Sequence, residues 1–331
     1  MALGLAVLGV TAAQAQGLTA LTSFAGDGWL APGENNSSTW LGTGSLERGM
    51  AFNRVTNSLY VVTRSTSGTG VKIVDATTGA LKSTAGDGTG NLFAPVGGYS
   101  GGTFAANMIG VSDDGQIFLG NLFAGPGAGN FRVYRWSNEN DSAAVGFNVA
   151  VNSRTGDSFD VRGSGNSVDI IAGGGSGNNN YFSGSWNGTT IGGGSIAVND
   201  DAFRLGITFA GNDLWGKETG GSLRSLTPPG TTFTTVSALT SAGEAPMDYT
   251  VINGVGYLAT VDVNSSVVRV YDMSNALSPT LVGSLTTTSG TLASNANGVG
   301  QVKWGNVTGT SATAISVVRH EHQPRHPSDD L

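Results

Sequence analysis

The phrase Ser23-Phe24-Ala25-Gly26-Asp27-Gly28, followed by Ala31-Pro32, returns sixty residues later as Ser83-Thr84-Ala85-Gly86-Asp87-Gly88, followed by Ala94-Pro95. A phrase that recurs in this way marks a chain assembled from copies of one supersecondary unit. It constrains architecture rather than chemistry, so the unit has to be read first.

The clearest copy runs from Arg48 to Thr84. Met50-Ala51-Phe52 leads through Asn57-Ser58 into Leu59-Tyr60-Val61-Val62-Thr63, then Val71-Lys72-Ile73-Val74-Asp75, then Ala80-Leu81-Lys82-Ser83. These are four short β-rich runs separated by turn residues, with no sustained 3.6-residue period. The order repeats from Met108 to Phe147, with a hairpin signal at Asp113-Asp114-Gly115, and from Tyr249 to Gly283, with Asn253-Gly254 as the turn. Weaker copies run through Phe159 and Ile170, through Leu205 and Val236, and from Val299 to Val317.

Six four-stranded units at a spacing of roughly fifty residues predict an all-β chain folded as a β-propeller. About six antiparallel blades are expected, with room for a seventh in the Gly-rich stretches. The first copy of the phrase follows Leu18-Thr19-Ala20-Leu21-Thr22, whereas the second follows a fourth strand. The N-terminal strand therefore reads as a displaced fourth strand that closes the ring against C-terminal strands. A parallel β-helix is the rival, but it lacks antiparallel Asp-Gly and Asn-Gly hairpins.

Composition supports a folded, turn-rich chain. Of 331 residues 53 are glycine and only 12% are charged, yet 39% are apolar, enough for a real core. The net charge of −7 and the scattered Lys and Arg exclude a nucleic-acid partner. With no cysteine there is no disulfide framework and no thiolate site.

Ala2 to Val10 is an apolar run and is followed by Ala13-Gln14-Ala15. This is the pattern of a secretory signal over residues 1–15, too short to span a bilayer. The propeller domain is expected over 16–317, secreted or at the cell surface (extracellular or periplasmic), as a monomer with no membrane span. The alternative for the apolar run is a strand of the fold itself.

Arg48-Gly49-Met50-Ala51-Phe52-Asn53, Asn57 to Val62 and Asp75 to Leu81 resemble a blade of the bacterial propellers related to the YVTN and NHL repeat groups. Asp113 to Phe118, Tyr134-Arg135-Trp136 and Asn297 to Trp304 resemble a narrower group of exported bacterial propellers with no assigned function. The resemblance spans about Leu18 to Val317 and implies a secreted propeller that binds something. Residues 318–331 depart from it abruptly, with His, Pro and charge where another strand is expected, and read as a disordered or aberrant tail.

No catalytic constellation is recognisable. All three histidines, His320, His322 and His326, lie in that tail, so a Ser-His-Asp triad is excluded. No metal site and no cofactor are expected: the turn aspartates, including Asp27, Asp87, Asp200 and Asp201, explain themselves as local hydrogen-bond acceptors. Asn138-Glu139-Asn140-Asp141 reads as a solvated loop. Lys72, Arg132, Arg224 and Arg269 recur on third strands between apolar neighbours, as long side chains covering the gap between sheets.

The default ligand position is the mouth of the central channel, where Arg48, Asn107, Arg204, Asp248 and Asn297 stand at or near the starts of the first strands. The expected function is a non-catalytic binding or scaffold module for an extracellular ligand or protein. The alternatives are a metal-dependent hydrolase or lyase acting on a sugar or lactone, and a surface-layer component.

Overall fold

Short alternating runs become strands, and the turns fall where the chain carries residues able to make them. The computed structural model describes residues 2–9, 18–42, 44, 46–65, 68–125, 129–151, 153–175, 179–218, 220–286, 300–308 and 311–318, with backbone only for 2–9, 36, 38, 307–308 and 311–318. Asn297, the three histidines and residues 319–331 lie outside the described residues.

The chain begins with β1 (Ala2–Gly9), β2 (Leu18–Ala20) and β3 (Trp29–Leu30), then a 3-10 turn over Glu34–Thr39. A sheet of β4 (Met50–Asn53), β5 (Ser58–Thr63) and β6 (Gly70–Asp75) follows. Next come β7 (Phe104–Val111), β8 (Ile117–Leu122), β9 (Phe131–Trp136) and β10 (Ala144–Val149). The third sheet holds β11 (Thr155–Ser164), β12 (Ser167–Gly174), β13 (Asn180–Trp186) and β14 (Ile191–Ala197). The fourth holds β15 (Gly206–Ala210), β16 (Asp213–Lys217), β17 (Leu223–Leu226) and β18 (Thr234–Ser237). The fifth holds β19 (Glu244–Ile252), β20 (Val255–Asp262), β21 (Val267–Asp272) and β22 (Thr280–Thr286). Finally β23 (Gly300–Thr308) and β24 (Ser311–Val318) join the N-terminal strands in the order β23-β24-β1-β2, with β3 also on β1.

This is an all-β propeller in which five sheets contain a four-stranded antiparallel path, while the β4-β5-β6 sheet has three strands. The expectation of six or seven four-stranded blades is corrected accordingly. The physical reason lies in the repeated phrase. Leu81 bridges Val74 on the outer edge of β6, and the chain then leaves the sheet. It returns where Ile73 N–H donates to Gly90 O at 2.8 Å and Leu92 N–H donates to Val71 O at 2.9 Å. The fourth strand is thus split by an excursion over Ser83 to Gly88. The Asp87 carboxylate holds it by accepting from Thr89 N–H at 2.8 Å and from Asn91 Nδ2 at 3.2 Å.

The first copy does the same on β1. Leu18, Thr19 and Ala20 pair with Leu8, Val7 and Ala6, and after the excursion Trp29 and Leu30 pair with Gly4 and Leu3. Leu18–Ala20 holds the outer position expected of it, but its partner is Ala2–Gly9 rather than a C-terminal strand. Ala2–Gly9 in turn pairs with Ser311–Val318 through eight residue pairs. The segment that matches a secretory signal therefore stands where the third strand of this sheet belongs.

Apolar residues alternate toward both faces of each sheet, and the core lies between neighbouring sheets. Phe131, Phe147 and Phe182 meet at 4.7 to 6.1 Å between the second and third sheets. Tyr181, Phe203 and Phe233 do so between the third and fourth. Each fully buried ring contributes about 1.5–3 kcal/mol from area removed from water. The first strands lie side by side, β4 on β7, β7 on β11, β11 on β15, β15 on β19, β19 on β23, and β23 on β4.

Glu139, expected in a solvated loop, is 7% exposed. It accepts from Ser58 Oγ at 2.8 Å and Tyr60 Oη at 3.2 Å, with Lys82 Nζ at 3.7 Å, and so ties two sheets together. No helix among the described residues is long and apolar enough to cross a membrane.

Candidate functional site

Three first strands each carry one charged residue between apolar neighbours: Phe159-Asp160-Val161 on β11, Met247-Asp248-Tyr249 on β19 and Val302-Lys303-Trp304 on β23. Period two sends each charge to the face opposite its neighbours. Those neighbours pack between sheets, so the charges face one another. Lys303 Nζ donates to Asp160 Oδ1 and, at 3.1 Å, to Asp248 Oδ1.

Backbone and hydroxyl donors complete the network. Trp304 N–H reaches Asp248 Oδ2 at 2.7 Å, and Trp304 Nε1 donates to Asp248 O at 3.0 Å. Phe209 N–H donates to Asp160 Oδ2 at 3.0 Å, and Thr208 Oγ1 donates to the same oxygen at 3.2 Å. Four first strands (β11, β15, β19 and β23) are thereby tied by polar groups removed from water. Such a network is tolerated because nearly every donor and acceptor has a partner.

Burial pushes the Asp248 carboxyl up, and the nearby Asp160 charge adds to this; Lys303 and the Trp304 N–H oppose it, and the value comes to about 6. Burial alone would depress Lys303, but Asp160 and Asp248 override it and hold the ammonium above its ordinary value. Lys303 is therefore a permanent cation, whereas Asp248 is poised to titrate near neutrality.

Above this network lies a cavity of about 160 Å³ toward the C-terminal ends of the first strands. Phe209, Tyr249 and Trp304 give it apolar walls, and Arg54, Asp113 and Arg162 stand among its polar lining. Arg162 stacks over Phe209 at 4.1 Å and donates to Asp169 at 3.1 Å, so its guanidinium is already positioned. On the other side of the network, Met108, Ile207, Met247 and Gln301 leave about 10 Å³, space for a single water.

Of the residues singled out in the sequence, Asp248 lines the larger cavity. Arg48 and Asn107 come together elsewhere: Arg48 Nε donates to Asn107 Oδ1 at 2.8 Å, and Asn107 Nδ2 donates to Gly156 O at 2.6 Å, all buried. They join β4, β7 and β11 near the starts of those strands. Arg204 precedes β15 and packs over Gly175, where an added Cβ would sit 2.7 Å from its own Cβ. Asp160, Lys303 and Thr208 were missed. For Asp160 and Lys303 the available signal was a charge between apolar neighbours, which is costly in a strand unless a partner awaits it.

Asp200, Asp201 and Glu218 bring carboxylate oxygens within 4.8 Å of one another, a donor set able to hold a divalent cation. Burial pushes Glu218 up, and Asp201 and Asp200 add to this.

Fold and site together define a β-propeller with an ion network across its first strands. No family model matches the sequence, and no curated protein sequence does. The crystal structure of a DUF4623 family protein from Bacteroides eggerthii is similar, with a TM-score of 0.63 and 16% identity over 82% of this chain and 70% of that one. A gluconolactonase from Xanthomonas campestris gives a TM-score of 0.43 at 12% identity, over 95% of this chain and 96% of that one. BamB from Moraxella catarrhalis gives 0.41 at 12% identity, over 84% and 85%. At 16% identity the first of these likenesses speaks to fold alone.

Proposed function

We propose that the protein is a non-catalytic binding module, with terminal strands closing the ring and a small polar molecule docking in the cavity above Asp160, Asp248 and Lys303. One observation carries this reading. The Lys303 ammonium at the cavity floor is already engaged by two carboxylates, so the site offers fixed charges and aromatic walls suited to recognition. Lys303 occupies the space between two carboxylates that an axial divalent cation would need, which weighs against a metal-dependent hydrolase there.

The test is a melting screen of the full chain against small sugars, amino acids and carboxylates, followed by product analysis of any stabilising compound. Stabilisation without turnover supports the binding reading. Turnover by the unaltered protein that Asp248→Asn abolishes points instead to an enzyme using Asp248 as its acid or base.

An extracellular or periplasmic location follows the resemblance to exported propellers, and a monomer is expected. Cell fractionation and light scattering test these two statements directly.

A further inference from the structure

The basic residues that recur on third strands find partners within the protein, with one exception. Arg132 on β9 donates to Asn148 Oδ1 at 3.1 Å. Arg224 on β17 donates to Thr235 Oγ1 at 2.7 Å and lies 3.4 Å from Asp200. Arg269 on β21 pairs with Glu244 at 3.1 Å and Asp262 at 3.7 Å. Two of these partners, Asn148 on β10 and Thr235 on β18, are supplied by an intact outer strand. Lys72 sits at the same place on β6, opposite Asn91, where the outer strand resumes after its excursion. Among the described residues its ammonium has no hydrogen-bond or ion-pair partner.

The interruption leaves a cavity of about 230 Å³ lined by Lys72, Asp87, Asn91, Leu92, Thr69 and Tyr99. The Tyr99 hydroxyl is buried and unpartnered, while its ring packs edge-on to Tyr134 at 5.6 Å. The Asp87 carboxylate is already engaged by Thr89 and Asn91. Among the groups left free here are two donors, an ammonium with three N–H bonds and a phenol O–H. Buried donors without acceptors are costly, and the Asp87 carboxylate in the same cavity only partly offsets the burial of the Lys72 ammonium.

We infer that this cavity is a second binding site, distinct from the axial one, for a small molecule bearing an oxyanion, either a carboxylate or a phosphate. Lys72 supplies the charge and Tyr99 a directional hydrogen bond. The cavity admits the anionic group with a small substituent but not a polymer. Burial pushes the Lys72 ammonium down, with Asp87 only partly opposing it, and a bound anion would raise it again.

The chain has four lysines, so isotope-labelled lysine side chains give four resolvable NMR signals. Titration of the full chain with sodium acetate and, separately, inorganic phosphate is compared with chloride at matched ionic strength. The expected result is a saturable shift confined to Lys72, with the anion that saturates at lower concentration naming the source. Binding weakens by about tenfold or more in Lys72→Met, followed by calorimetry, and by about threefold in Tyr99→Phe. Equal drift of all four signals, a shift that chloride reproduces, or unchanged affinity in Lys72→Met overturns the inference. Tyr99→Phe keeps the ring and its packing, so a loss of affinity at unchanged melting temperature separates binding from folding.

Discussion

Lys303 and Asp248 meet at 3.1 Å from neighbouring first strands, and the backbone N–H of Trp304 clamps the other oxygen of the same carboxylate at 2.7 Å. One carboxylate thus accepts from a side chain and from the adjacent backbone of a single strand, which fixes the register of β19 against β23. Asp160 reaches the same ammonium from β11.

Asp248 keeps its proton up to about 6, above the ordinary value near 3.9. Between those two values the folded state binds more protons than the unfolded one, so stability falls as pH rises through the window. Lys303 is raised instead, so its contribution is fully present there and is lost only in strong alkali. Calorimetric melts from pH 4 to 6 should show a slope that Asp248→Asn flattens; an identical slope in both proteins rejects this assignment.

Lys303→Met leaves Asp160 and Asp248 as buried carboxylates without their cation. The expected loss is about 3–5 kcal/mol in urea unfolding. The triple variant Asp160→Asn, Asp248→Asn, Lys303→Met should lose clearly less than the sum of the three single losses, because it removes the charges together.

Ala6 pairs with Ala314 on one side and Ala20 on the other, so β1 is an interior strand. Proline there removes a ladder hydrogen bond and leaves its partner unsatisfied, which should cost about 1–3 kcal/mol. If residues 1–15 are instead cleaved as a leader, Ala6→Pro leaves the melting temperature of the purified protein unchanged, and N-terminal sequencing begins at Gln16. Retention of Ala2 together with a large destabilisation supports the strand role, and a mature chain beginning at Gln16 supports the leader.

Gly206 opens β15 where the first strands crowd together. A Cβ there would lie 1.7 Å from the Ala245 carbonyl oxygen, whereas one at Gly192 meets nothing within 4 Å. Gly206→Ala should therefore cost about 3 kcal/mol as the strands are forced apart, and Gly192→Ala should stay within about 0.5 kcal/mol. Parallel denaturant titrations of the two variants decide it.

The strands and turns were legible because their causes are local. Alternating runs such as Leu59 to Thr63 and hairpin signals such as Asn253-Gly254 act within a few residues. The turn appears as expected, with φ of 52° and 82° at those two positions. Asp248 was legible as a candidate through its place on a first strand, whereas the hydrogen bonds by which Arg48 and Asn107 join neighbouring sheets were not.

By itself the sequence determined an all-β propeller and marked, in its Ala-Gly-Asp-Gly phrase, an outer strand; only the structure showed that the phrase breaks that strand in two. Tertiary structure alone decided that Ala2–Gly9 sits between Leu18–Ala20 and Ser311–Val318. An apolar run carries the same residues whether it is a leader or a strand, and only a distant backbone partner distinguishes them. Tertiary structure likewise brought Asp160, Asp248 and Lys303 together. Period two says which face a side chain takes, but not which strand will face it.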